Sequence, residues 1–76
     1  MTLKILDKII TLNGIYEVRS IEPLKCYNTH NGNLEYIEYG TYAPINDKDY
    51  KILKSLEYDK LLKKIKDEYP EIQIWF

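Results

Sequence analysis

One cysteine, one histidine, one arginine and three glycines are all that the 76 residues contain of these types, and each shortage removes a class of chemistry. The lone Cys26 forms no internal disulfide, and a chain this small in an oxidising compartment usually carries several. A structural zinc site takes four sulfur or imidazole ligands, and Cys26 with His30 supplies two. On one strand the two would stand about 13 Å apart at roughly 3.3 Å per residue. That also exceeds the hydrogen-bond reach of a nucleophile–base pair. Cys26 is therefore expected as a small buried hydrophobe against Ile37, and His30 as an exposed neighbour of a turn. Two of the three glycines are spent in Asn-Gly turns, so no glycine-rich phosphate loop exists. No apolar run approaches the ~20 residues that cross a bilayer, and no positively charged start precedes a long apolar run. The cytoplasm is the expected location, with no membrane, metal or cofactor involved.

Charge of either sign is not in excess: the net charge is −1. A DNA mimic needs an acidic surplus, and a general phosphate-binding surface needs a basic one. Lys60, Lys63, Lys64 and Lys66 gather on one side of a helical segment, where they offer a track for a single-stranded nucleic acid with tyrosines stacking on bases. Asp59, Asp67 and Glu68 dilute that side, and the single Arg19 leaves little for bidentate phosphate contacts. Nucleic acid is an alternative partner, ranked below protein. Paired carboxylates do acid–base work in sugar hydrolysis, but Glu35 and Glu38 fall on opposite faces of a strand because their separation is odd. Glu17 and Glu38 meet only if two hairpins pack side by side. No catalytic residue is assigned, and a non-enzymatic protein is expected.

What the chain does have is Ile (11), Lys (10), Tyr (8) and Asn (5), with a single Ala. AT-rich codons favour these four residues, so position says more than number. At 45% apolar and 30% charged residues, the composition fits one folded domain spanning residues 1–76. Asn13-Gly14 lies between β-rich segments and predicts a type I′ hairpin that pairs Leu12 with Ile15, Thr11 with Tyr16 and Ile9 with Val18. The stretch of residues 2–7 fits either one helical turn or the extended start of that first strand, and the strand is the preferred reading. Pro23 interrupts the sheet. A second Asn-Gly, Asn31-Gly32, predicts a hairpin pairing Thr29 with Leu34, Tyr27 with Tyr36, Lys25 with Glu38, Cys26 with Ile37 and Leu24 with Tyr39. Gly40 marks a bulge or a close backbone approach.

The period changes at residue 46. Asn46 is an N-cap with Asp49 at the third helical position, and Ile45 and Tyr50 occupy the places of a hydrophobic staple. One apolar stripe holds Ile52, Leu53 and Leu56; another holds Tyr58, Leu61, Leu62, Ile65 and Tyr69. At 100° per residue their centres lie about 165° apart. That predicts two helices, or one helix sharply bent near residues 57–59, with Pro70 ending the second. The tail alternates Ile72, Ile74 and Phe76 with Gln73 and Trp75, as a final strand does. The expected architecture is α+β: an antiparallel sheet of two β-hairpins plus a C-terminal strand, with one or two helices packed on one face.

The segment LEYIEYGTY, residues 34–42, carries large side chains on both faces. Its alternation sends Tyr36 and Tyr42 one way and Ile37 and Tyr39 the other. With helices to cover only one face, Tyr27, Tyr36 and Tyr16 are left as neighbours on the open one. Tyr16, Tyr27, Tyr36 and Tyr42 then form a protein-binding surface, with Lys25 and Glu38 at its rim. Coverage of that face by the N-terminal segment is the competing arrangement. The partner is another protein or a second copy of the chain, as in a homodimer. Small motif-free proteins of AT-rich composition often come from phages and mobile elements, where they inhibit host machinery. A small-ligand or nucleotide binder, or a hydrolase, with a cleft lined by Tyr and Glu is the third class.

Overall fold

Alternation along the first hairpin splits its apolar residues between two faces of a sheet. Ile10 and Ile15 turn to one side; Ile9, Tyr16 and Val18 turn to the other, and all five are buried. The computed structural model describes residues 3–72. Its five antiparallel strands are β1 (Lys8–Thr11), β2 (Gly14–Ser20), β3 (Lys25–Asn28), β4 (Leu34–Tyr36) and β5 (Ala43–Pro44), in the order β4-β3-β2-β1-β5. Two helices follow, α1 (Asp47–Lys54) and α2 (Tyr58–Glu68), and then a short 3-10 turn, Pro70–Ile72. The fold is α+β, with both helices on one face.

The register of both hairpins departs from the expected one by the same even step. Thr11 pairs with Gly14, Ile10 with Ile15 and Ile9 with Tyr16. Asn13 keeps a negative φ, so the type I′ turn does not form. Leu12 and Asn13 make the connection instead, and the Asn13 N–H donates to Thr11 Oγ1 at 2.9 Å. Gly14, at φ +123°, becomes the first residue of the returning strand. In the second hairpin Lys25 pairs with Tyr36, Cys26 with Glu35 and Tyr27 with Leu34. There the buried Asn28 closes a four-residue loop: its Oδ1 accepts from the His30 and Asn31 amides at 2.8 and 3.3 Å. A partner shift of two residues preserves the alternation within each strand, whereas a shift of one would have inverted it. The expected Tyr27–Tyr36, Lys25–Glu38 and Cys26–Ile37 pairs are nonetheless replaced. Tyr27 and Tyr36, expected on the face opposite the helices, lie on the helical face, and Tyr16 lies on the other.

The helical region divides as its two stripes require. Asn46 Oδ1 accepts the Asp49 amide at 2.7 Å, and Asp47 and Asp49 place carboxylates in the first turn. Residues 55–57 break the helix, with Ser55 Oγ donating back to the Ile52 carbonyl at 2.7 Å. Leu53, Leu61, Ile65 and Ile72 meet Ile10, Ile15 and Ala43 in the first core cluster, with Ile45 and Tyr50 against its margin. Ile52 differs from its stripe-mates and is half exposed.

Three expectations are corrected. The fifth strand is Ala43–Pro44, which pairs with β1; Glu71 and Ile72 belong to the 3-10 turn, and the remainder of the expected terminal strand lies outside the described residues. The lead-in to β1 is a turn, closed by the Lys4 N–H donating to the Asp7 carboxylate at 2.8 Å, with Leu6 at φ +75°. The face opposite the helices is also covered. Leu3, Ile21, Ile37 and Tyr42 pack against Ile9, Tyr16, Val18, Leu24 and Cys26 in a second cluster. The chain reaches this position because residues 37–42 carry it from β4 on one edge to β5 on the other.

Candidate protein-binding surface

The helices do not cover the whole of their face. The first core cluster draws its sheet residues from β1, β2 and β5 only. The β3–β4 half of that face presents Lys25, Tyr27, Leu34 and Tyr36, bordered by Arg19 from β2. Leu34 is 52% exposed and Tyr36 70%. Arg19 sits there because a bulge between Val18 and Ser20 leaves it opposite no partner residue. Its guanidinium lies 4.6 Å from the Tyr27 ring centre, and Lys25 Nζ lies 5.3 Å from that of Tyr36. Arg19 Nε also donates to Glu17 at 2.7 Å, and Lys8 Nζ stands 3.2 Å from the same carboxylate. Desolvation acts to raise the Glu17 carboxyl, but hydrogen bonds from Arg19 and Lys8 outweigh it and hold it below the ordinary 4.5.

β4 is also an open edge. Hydrogen bonds from Asn28 N–H to the Asn33 carbonyl, 2.8 Å, and from Ile37 N–H to the Leu24 carbonyl, 3.0 Å, fix the phase of the ladder. Glu35 therefore bonds inward to Cys26, and Leu34 and Tyr36 turn their backbone N–H and C=O groups away from the sheet. The opposite edge differs, because β5 carries Pro44, which has no N–H to offer.

Beneath β4, on the other face, lies a polar network. Tyr16 Oη donates to Glu35 Oε1 at 3.0 Å, while Asn28 Nδ2 donates to Tyr16 Oη and Glu35 Oε2, both at 3.2 Å. Burial, reinforced by the Glu35 carboxylate, raises the Tyr16 phenol above its ordinary 10.0. A cleft of about 450 Å³ opens beside this network, and Thr11, Tyr16, Glu35, Glu38 and Thr41 contribute to its walls.

Of the residues expected on the binding surface, Tyr27, Tyr36 and Lys25 come together there. Tyr16 does not: it is fully buried on the opposite face, where it packs with Ile9, Val18 and Cys26. Tyr42 also leaves the set. β4 ends at Tyr36 and Gly40 turns the chain at φ +92°, so strand alternation does not extend to Tyr42, which packs against the second cluster beside Tyr39. Glu38 is exposed, but it lines the cleft rather than pairing with Lys25. Arg19 and Leu34 are the additions. Arg19 as the only arginine was a visible signal; the bulge that aims it was not.

The remaining candidates sit elsewhere. Lys60, Lys63 and Lys66 are exposed on α2, and Lys64 is ion-paired with Glu68 one turn on. Cys26 is fully buried, and desolvation pushes its thiol up to about 11. His30 stacks edge-on against Tyr58 at 4.9 Å and accepts the Ile15 amide at Nε2, 3.4 Å away. Among the described residues no group of three or more His, Cys, Asp or Glu side chains is placed to hold a metal ion, and no helix is long and apolar enough to cross a membrane. The chain matches no protein-family model, and neither a curated protein nor a solved structure emerges as similar to it.

Proposed function

We propose that the protein is a non-enzymatic binding module that engages another protein through the β3–β4 half of its helical face. The observation that carries this reading is the exposure of Leu34 and Tyr36 side by side with Tyr27, on a face whose other half is sealed by helices. Tyrosine and arginine are the residues over-represented where one protein desolvates another. Their pairing here as Arg19 on Tyr27 and Lys25 on Tyr36 holds the rings in place before a partner arrives. The buried, high-pKa thiol of Cys26 argues against a cysteine nucleophile. An inhibitor or modulator that blocks a surface of host machinery is the form of this activity that we favour.

The test is affinity capture from cells that express the protein natively, with wild-type, Tyr36→Ala and Tyr58→Ala baits. A protein held by wild type and Tyr58→Ala, and bound at least about 1 kcal/mol more weakly by Tyr36→Ala, supports the reading. An unchanged dissociation constant for a folded Tyr36→Ala overturns it. Light scattering over a concentration series identifies self-association, which doubles the 9.1 kDa chain mass.

A further inference from the structure

We infer that β4 binds its partner by strand addition, and that it selects an extended segment with a basic residue between two apolar ones. This deepens the binding reading above and rests on it. Three observations bear on the occupant.

The first is the edge itself. Leu34 and Tyr36 direct backbone donors and acceptors outward; β4 is only three residues long and carries Glu35, but it has neither lysine nor proline to block pairing. An added strand completes those hydrogen bonds, and its side chains alternate between the two faces of the sheet.

The second is what each face offers. On the helical face, the residues opposite Leu34 and Tyr36 meet apolar and aromatic surface. On the other face, the residue between them meets Glu35, with Glu38 beyond it. Each Glu35 oxygen takes one hydrogen bond, from Tyr16 or from Asn28, and retains capacity for another. The cleft beside it has no Lys, Arg or His in its lining, and neither Glu35 nor Glu38 has an ion-pair partner among the described residues. A lysine or arginine complements that position; a carboxylate is repelled from it.

The third weighs against the simplest alternative. A second copy that paired its own β4 antiparallel, using all of Leu34, Glu35 and Tyr36, would set Glu35 against Glu35. Like charges directly opposite are destabilising, so this in-register self-pairing is disfavoured, and the occupant assigned to the edge is a segment of a different protein.

The experiment selects from a random heptapeptide library displayed on phage, using the wild-type protein and Glu35→Gln in parallel. The strongest peptide is then synthesised and titrated into isotope-labelled protein. The expected outcome is enrichment of Lys or Arg flanked on both sides by Val, Ile, Leu, Phe or Tyr, and weaker enrichment on Glu35→Gln. Leu34 and Tyr36 amides should shift most and exchange more slowly. The same peptide with Glu in place of its basic residue should bind at least about tenfold more weakly. That swap leaves the protein untouched, so it decides the matter whatever Glu35→Gln does to folding. Selected peptides without a basic preference, amide shifts away from β4, or no selected peptide at all would each overturn strand addition at this edge. A partner captured through Tyr36 but lacking this signature leaves the binding module standing and removes only the present inference.

Discussion

The ring of His30 lies directly over Gly14: a Cβ built on that glycine would stand 2.7 Å from His30 Cδ2 and 2.9 Å from Nε2. Both contacts are shorter than carbon atoms tolerate, and Gly14 also holds φ +123°, a region closed to other residues without strain. Gly14→Ala is therefore expected to cost about 1–3 kcal/mol of stability by urea denaturation. In Gly14→Ala/His30→Ala the steric part is relieved and the φ penalty remains. If the double variant recovers nothing, the loss belongs to the backbone alone.

Protonation of His30 is expected to destabilise the fold. His30 is an exposed residue, as expected of a turn neighbour. Partial desolvation where its ring meets Gly14 and Tyr58 still lowers its pKa below the ordinary 6.5, so between the two values the unfolded chain binds more protons. The contribution is complete above pH 6.5, declines as pH falls through 6.5, and levels off below the depressed native value. Protonation also removes the Nε2 acceptor from the Ile15 amide. Denaturation midpoints of wild type and His30→Gln should diverge above that window and converge below it; parallel profiles would remove the histidine from the account.

The buried network separates two substitutions that look alike on paper. Tyr16→Phe deletes one hydroxyl, yet Asn28 Nδ2 keeps its bond to Glu35, so a loss of about 1–2 kcal/mol is expected. Asn28→Ala also strips the His30 and Asn31 amides of their acceptor and opens the loop. It should cost more than Tyr16→Phe in the same urea titration, and the reverse order would show that the loop does not depend on Asn28.

Cys26 should report global unfolding. With its side chain buried and its thiol raised to about 11, an aromatic disulfide reagent at pH 8 is expected to label the native protein only at the rate at which it opens. Stabilising and destabilising variants should shift that rate in step with their stabilities. Prompt stoichiometric labelling of native protein would contradict the burial.

How much of this was legible depended on whether a feature is set locally. The Asn46 cap is written within four residues, and the opposed stripes of the two helices follow from spacing alone, so both appear as expected. Alternation within each strand also came through, since it depends only on parity. The face that the helices cover did not: Tyr27 and Tyr36, expected opposite the helices, lie on the helical face. Register did not, because Asn-Gly offered a tighter turn than the one adopted: Gly14 accommodates His30 from the second hairpin, and Asn28 organises the second loop with its own side chain. No local pattern contains either contact. Tyr16 was placed with the wrong neighbours for a related reason. Its shared face with Ile9 and Val18 was visible from the hairpin pairing, but that this face is roofed by residues 37–42 is a matter of tertiary path. Arg19 and Leu34 emerge as surface residues only once the helices are seen to cover half of their face.

The path of residues 37–42 has a mechanical consequence. Tyr36 and Ala43 lie on opposite rims of a five-stranded sheet, four strand spacings apart, which is about 19 Å. The seven links between them reach at most about 25 Å when fully extended. Some of that length is spent in the turn where the Thr41 amide meets the Glu38 carbonyl at 3.2 Å. Almost no slack is left. The segment works as a girth strap, setting how far the two rims stand from each other, so that a load applied to β4 is borne in part by the far side of the sheet.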